Sequence, residues 1–190
     1  MKRILFALSL VVLLLAACTT GSSTTLRPAA DRPIVGPDGT LWDAIEAARG
    51  GHSQRMERLL STGFVHRAIL PNVPRDEPTD EEEYALALAR MERELASFGP
   101  IRARLYTRYT QWLNDATRGY VIETDRPEYD LKYKDGYGAA RGPNSAKLKV
   151  WLHAAASKEP KLIVVSFIQD GDAWRIDGFT PDPLFGEFIR

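Results

Sequence analysis

Leu41, Ile45 and Ala48 recur at the spacing of one helix face. Thr40 with Asp43 three places on is close to a capping box, which predicts a helix entered at Thr40. Gly50-Gly51 closes it. Ser53 then caps a second helix carrying Met56, Leu59 and Leu60, which Gly63 ends. Phe64 to Leu70 reads as a short strand, and Pro71 to Pro78 as a proline-rich loop. Thr79-Asp80-Glu81-Glu82 is a stronger capping box, with acid in the first turn where the helix dipole favours it. Tyr84, Leu88, Met91, Leu95 and Phe98 continue as one stripe until Gly99-Pro100.

After Pro100 the period becomes two. Ile101, Ala103, Leu105, Thr107 and Tyr109 alternate with Arg102, Arg104, Tyr106, Arg108 and Thr110, which predicts a long strand. Gly119 to Thr124 and Leu131 to Tyr137 read as weaker strands around the turn-prone Asp125-Arg126-Pro127. Leu148, Val150 and Leu152 alternate with Lys147, Lys149, Trp151 and His153 in another. Leu162 to Ile168, apolar on both faces except Ser166, predicts a strand buried between layers. Asp170-Gly171 turns it back through Trp174 and Ile176. The expected fold is therefore α+β, with N-terminal helices packed on a curved, cone-like antiparallel sheet.

This order resembles the nuclear transport factor two-like superfamily, which includes ketosteroid isomerase-type enzymes and SnoaL-like proteins. "AARGGHSQRMERLLSTGFV" is similar to that family's first helix, small turn and second helix leading into a strand. "LIVVSFIQDGDAWRIDGF" is similar to its closing hairpin. The resemblance implies a cone with a ligand pocket, in which an Asp or His serves as general base in the family's enzymes.

The N-terminus has a different pattern. Lys2 and Arg3, an apolar run from Ile4 to Ala17 broken only by Ser9, and small residues before Cys18 have the layout of a secretory signal peptide. The run is shorter than the roughly 20 apolar residues a spanning helix needs. Leu15-Ala16-Ala17-Cys18 resembles the lipobox of bacterial lipoproteins. That resemblance implies a diacylglyceryl group on the Cys18 thiol, removal of residues 1–17, and acylation of the new amine. Two or more acyl chains make a stable membrane anchor. Thr19 stands where this class carries Asp for inner-membrane retention, so the resemblance implies the outer membrane of a Gram-negative cell, facing the periplasm. Residues 18–39, rich in Thr, Ser, Gly and Pro, read as a flexible tether of about twenty residues with a reach on the order of 25 Å. Residues 40–190 are then a single folded domain.

Charge narrows the functional classes. With 25 Lys and Arg against 25 Asp and Glu, there is no general pull toward nucleic acid. Cys18 is the one cysteine, so no internal disulfide forms. His52, His66 and His153 are too far apart in sequence to suggest a metal site, and Asp170 and Asp172 suit a turn better than a calcium loop. Gly-x-Ser-x-Gly is missing, and Gly136, Gly138 and Gly142 lack phosphate-loop spacing. Neither a metal nor a cofactor is expected.

Two groupings remain as candidates. Arg102, Arg104 and Arg108 fall on one face of the expected strand, where a solvated face is favoured over an anion site. Trp112, Tyr120 and Trp151 are candidates for the aromatic wall of a ligand pocket. The superfamily resemblance makes His153 the weak candidate for a general base, with Asp130 or Glu123 as acidic partner. The expected function is a membrane-anchored periplasmic lipoprotein whose non-catalytic domain binds a small apolar ligand or an envelope protein. The alternatives are an isomerase- or hydratase-like enzyme in the same cone, or a structural envelope-assembly protein. The last would dock through the Tyr84–Phe98 face or Pro183-Leu184-Phe185.

Overall fold

A computed structural model describes residues 35–73, 78, 81–130, 144–155, 157, 159–184 and 186–188. The signal and lipobox, most of the tether, the Thr79-Asp80 cap, Phe185 and the strand expected at Leu131 to Tyr137 lie outside them.

Helix α1 spans Pro37–Arg49 and starts ahead of the expected Thr40. Pro37 occupies the first turn, where its missing N–H costs nothing, and Gly36 precedes it at φ 104°. Thr40 therefore lies inside the helix, and its hydroxyl donates to the Trp174 carbonyl at 2.9 Å. Gly51, at φ 69°, ends α1 in a Schellman arrangement: its N–H bonds the Ala48 carbonyl and that of His52 bonds Ala47. Helix α2, Ser53–Leu59, buries Met56.

Helix α3, Thr62–Ile69, replaces the strand expected at Phe64 to Leu70. The β-prone Phe64 and Val65 suggested extension, but the Ser61 hydroxyl accepts from the Phe64 N–H at 2.9 Å and starts a helix. Helix α4, Glu81–Leu95, is the expected acidic helix, and a 3-10 turn at Ala96–Phe98 follows. Of its stripe Leu95 is fully buried, while Tyr84, Leu88, Met91 and Phe98 are half-buried.

The largest correction is helix α5, Gly99–Thr117, which occupies the segment read as a long strand. The preceding helical stretch stops at Phe98, as expected, but Pro100 then sits in the first turn of a new helix where a strand was expected. The apparent alternation was misleading. Ala103 and Thr107 are exposed, whereas Leu105, Tyr106, Tyr109, Thr110, Leu113 and Thr117 are buried at helical spacing. The buried hydroxyls of Thr110 and Thr117 donate to the Tyr106 and Leu113 carbonyls, each at 2.7 Å.

The strands are β1 (Tyr120–Thr124), β2 (Glu128–Asp130), β3 (Ser145–Ala154), β4 (Lys161–Asp170) and β5 (Ala173–Thr180), all antiparallel. β1 and β2 pair with opposite ends of β3, as one edge strand interrupted at Asp125-Arg126-Pro127, and β4 and β5 complete the sheet. Gly171 takes the first turn position of the β4–β5 hairpin at φ 59°. Ile122, Ala146, Leu148, Val150, Leu152, Val165, Phe167, Ile176 and Phe179 are buried with the helices' apolar residues in one core. Helices on one face of an open antiparallel sheet make this an α+β fold. The expected burial of β4 on both faces is incomplete, because Leu162 is 39% exposed and Val164 and Ile168 are half-buried.

A bulge between Ser166 and Phe167 shifts the register of β5, leaving Asp177 unpaired in the ladder. Asp177 accepts from the Ser61 hydroxyl at 2.5 Å and pairs with Arg67 at 2.8 Å. One irregularity in the sheet thus fixes the start of α3. Leu60 bridges Ile176 and covers the adjacent edge of β5.

Candidate functional site

A cleft of about 560 Å³ lies at one end of the sheet, within the size range of small-molecule sites. Trp112, Asp115 and Ala116 contribute from the last turns of α5, Tyr120 from β1 and Leu152 from β3. Lys161, Leu162 and Ile163 come from β4, and Pro181 and Pro183 from the segment after β5. The local sequence explains this convergence. Gly119, at φ 78°, reverses the chain between α5 and β1, so Tyr120 returns beside the helix end that carries Trp112.

Trp112 is rigidly backed. Its ring meets Phe179 edge-on at 4.8 Å and Tyr109 at 6.3 Å, while Phe64 lies 5.0 Å from Tyr109. The segment after β5 is held from below: the Tyr109 hydroxyl donates to the Asp182 carboxylate at 3.0 and 3.1 Å, and Asp182 also accepts from the Leu184 N–H at 3.0 Å. Burial, and then the Asp182 charge, push the Tyr109 phenol far above its ordinary range, so it remains a donor. Farther along, Arg108 makes two hydrogen bonds to Glu187, at 2.7 and 3.2 Å. The Thr180–Pro181 peptide is cis.

Two of the three expected aromatic residues are brought together. Trp112 and Tyr120 line the cleft, whereas Trp151 lies on the opposite face of the sheet and donates to Asp125 at 3.2 Å. The side-chain parity of β3 is the reason. Leu148, Val150 and Leu152 face the helices, so Trp151 and His153 face away.

His153 does find Glu123, at 3.1 Å, but the side chains are 43% and 69% exposed on that outer face. Asp130 pairs with Ser145 at the other end of β3. No acid–base pair therefore forms in the cleft from these three residues. The three arginines do not share one face either: Arg104 and Arg108 are neighbours one helical turn apart, and Arg102 stands away from them. Arg102 pairs with Glu92 at 3.3 Å, Arg104 stacks on Phe188 at 5.7 Å, and Arg108 holds Glu187.

Sequence reasoning missed Lys161 and Asp115, the charged residues of the cleft, and its two prolines. Lys161 left a readable trace, because it precedes Ile163, Val165 and Phe167 in strict alternation. Asp115 and Ala116 were hidden once α5 had been read as a strand.

A second polar pair lies elsewhere. His66 is 1% exposed and its Nε2 lies 2.7 Å from Glu94, whose carboxyl the bonds from His66 and Arg90 hold below its ordinary pKa. His66 Nδ1 has no hydrogen-bond partner among the described residues. His52 is exposed.

Among the described residues no group of three His, Cys, Asp or Glu side chains is arranged to hold a metal ion, and no helix is long and apolar enough to cross a membrane. No protein-family model matches this chain, and no curated protein or solved structure matches it.

Proposed function

We propose that this is a lipid-anchored protein of the bacterial envelope, tethered through Cys18 on the periplasmic side, whose folded domain takes up a small, mainly apolar ligand without transforming it. The observation that carries the binding reading is the cleft itself. It joins Trp112 and Tyr120 with Leu152 and Ile163, has few charged groups, and has a volume suited to a small molecule. The candidate base His153 stands on the other face of the sheet, beside Glu123, which favours binding over proton transfer. Of the two segments that resemble the cone-shaped superfamily, the closing hairpin is present as β4–β5. The first segment leads into α3 where the family would continue as a strand. Only the general plan of helices on a sheet is therefore taken from that resemblance.

The anchor reading rests on the lipobox residues Leu15-Ala16-Ala17-Cys18. Replacing Cys18 with Ser should move the protein from the membrane to the soluble fraction or leave its signal uncut; unchanged fractionation and processing would refute lipidation. The binding reading is tested with N-phenylnaphthylamine, a neutral apolar dye that brightens when buried. The parent chain should bind it saturably, and Ile163→Trp, which fills the cleft, should abolish the signal. An unchanged titration in that variant would remove the cleft from the account.

A further inference from the structure

We propose that the ligand of this cleft is an anionic amphiphile, a single apolar chain or ring system ending in a carboxylate or phosphate that Lys161 receives. This rests on the reading of the cleft as a ligand site and adds the charge of what occupies it.

The alternation of β4 carries the argument. Lys161 opposes Leu152 in the ladder and shares its face of the strand with Ile163, Val165 and Phe167, the face that the helices cover. An ammonium at the head of an otherwise apolar row is placed to meet the polar end of a molecule whose body lies against Leu152, Ile163 and Trp112. The position of Lys161 is defined: its Nζ lies 5.2 Å from the centroid of the Tyr120 ring. Among the described residues it has no carboxylate partner, in contrast to Lys149, which Glu128 holds at 2.9 Å.

Asp115 is the other charge on the cleft. It is exposed on the last turns of α5, with Asn114 Nδ2 at 3.5 Å from its Oδ1. Both charges are exposed and screened by water, but the Lys161 ammonium leans over the Tyr120 ring, at the end of the apolar row. A carboxylate head and a phosphate head present the same negative oxygens to an ammonium, so both belong to the proposed class.

The test is displacement of N-phenylnaphthylamine from the full chain carrying Cys18→Ser. Dodecanoate, dodecyl phosphate, dodecanol and dodecyltrimethylammonium are compared, the three ionic compounds below their micelle concentrations and dodecanol below its solubility limit. At least one of the two anions should displace the dye at about fivefold lower concentration than dodecanol, the upper end for a solvent-screened ion pair. The cation should be weakest. Lys161→Gln should bring that anion to the level of dodecanol measured in the same variant, and a circular dichroism melt matching the parent's shows that the loss is not one of folding. Advantage for one anion alone assigns the headgroup as carboxylate or phosphate.

Equal displacement by dodecanol and both anions, an anion preference that survives Lys161→Gln, or preference for the cation would overturn the inference and leave the cleft as a site for neutral or cationic molecules. Failure of the dye to bind the parent chain would refute the binding reading itself, and the inference with it.

Discussion

Replacing Tyr109 with Phe removes one oxygen from the most buried aromatic of the cleft's backing and leaves its ring in place. Tyr109 is 1% exposed, and its hydroxyl is shared between the two Asp182 oxygens at 3.0 and 3.1 Å. A hydrogen bond to a charged group contributes about 1.5–3 kcal/mol. Asp182 is half-buried and keeps the Leu184 N–H, so water replaces part of what the phenol supplied. The lower end, about 1.5 kcal/mol, is therefore expected. No cavity opens, and the ring contacts with Phe64 at 5.0 Å and Phe179 at 5.8 Å persist. For a chain of this size, that loss lowers Tm by roughly 3–6 °C. Thermal melts followed by circular dichroism, run on Tyr109→Phe, Asp182→Asn and the double variant, measure it. The double variant should lose less than the sum of the single losses, because the two groups act on one another. Because Asp182 also positions Pro181 and Pro183 on the cleft wall, dye affinity should fall in the same variants. An unchanged Tm in Tyr109→Phe, or strictly additive losses, would refute the claim that this bond holds the segment after β5.

Gly119→Ala should cost about 1–2 kcal/mol through backbone conformation alone, since φ there is 78° and an added Cβ has no neighbour within 4 Å. Gly119→Asn should recover part of that loss, and denaturant unfolding of the two variants compares them. Glu187 provides a pH test. The Arg108 hydrogen bond lowers its pKa below the ordinary 4.5, so its stabilising contribution is present above that value and is lost as pH falls through the lowered one. Glu187→Gln should flatten the fall in stability over that acid range, and an unchanged slope of stability against pH would count against the pair.

Much of the sheet was legible because alternation and turn chemistry agree there. β3 shows apolar parity at Leu148, Val150 and Leu152, and Asp170-Gly171 sets the hairpin. The errors fell where two periods overlap. Ile101 to Thr110 alternates in sequence, yet Pro100 opens a helix and the core selects Tyr106 and Thr110 over Ala103 and Thr107. Phe64 and Val65 favour extension by themselves, and a cap shared by Ser61 and Asp177, residues remote in sequence, decides otherwise. The site followed the same logic. Trp112 and Tyr120 meet because a short glycine turn links their elements, a local effect. Trp151 was expected in the pocket on the polar face of its strand, but the cleft opens on the apolar face that carries Leu152, and Pro181 and Pro183 reach it only through tertiary contacts around Asp182.

Occupancy of the cleft is tested most directly by tryptophan quenching with a bromine-labelled dodecanoate, comparing the Cys18→Ser chain with the same chain carrying Trp112→Phe. Bromine quenches only at short range, and of the four tryptophans Trp112 alone lines the cleft. A saturable quench that Trp112→Phe removes is the predicted result; the same quench in both chains would contradict binding at this site.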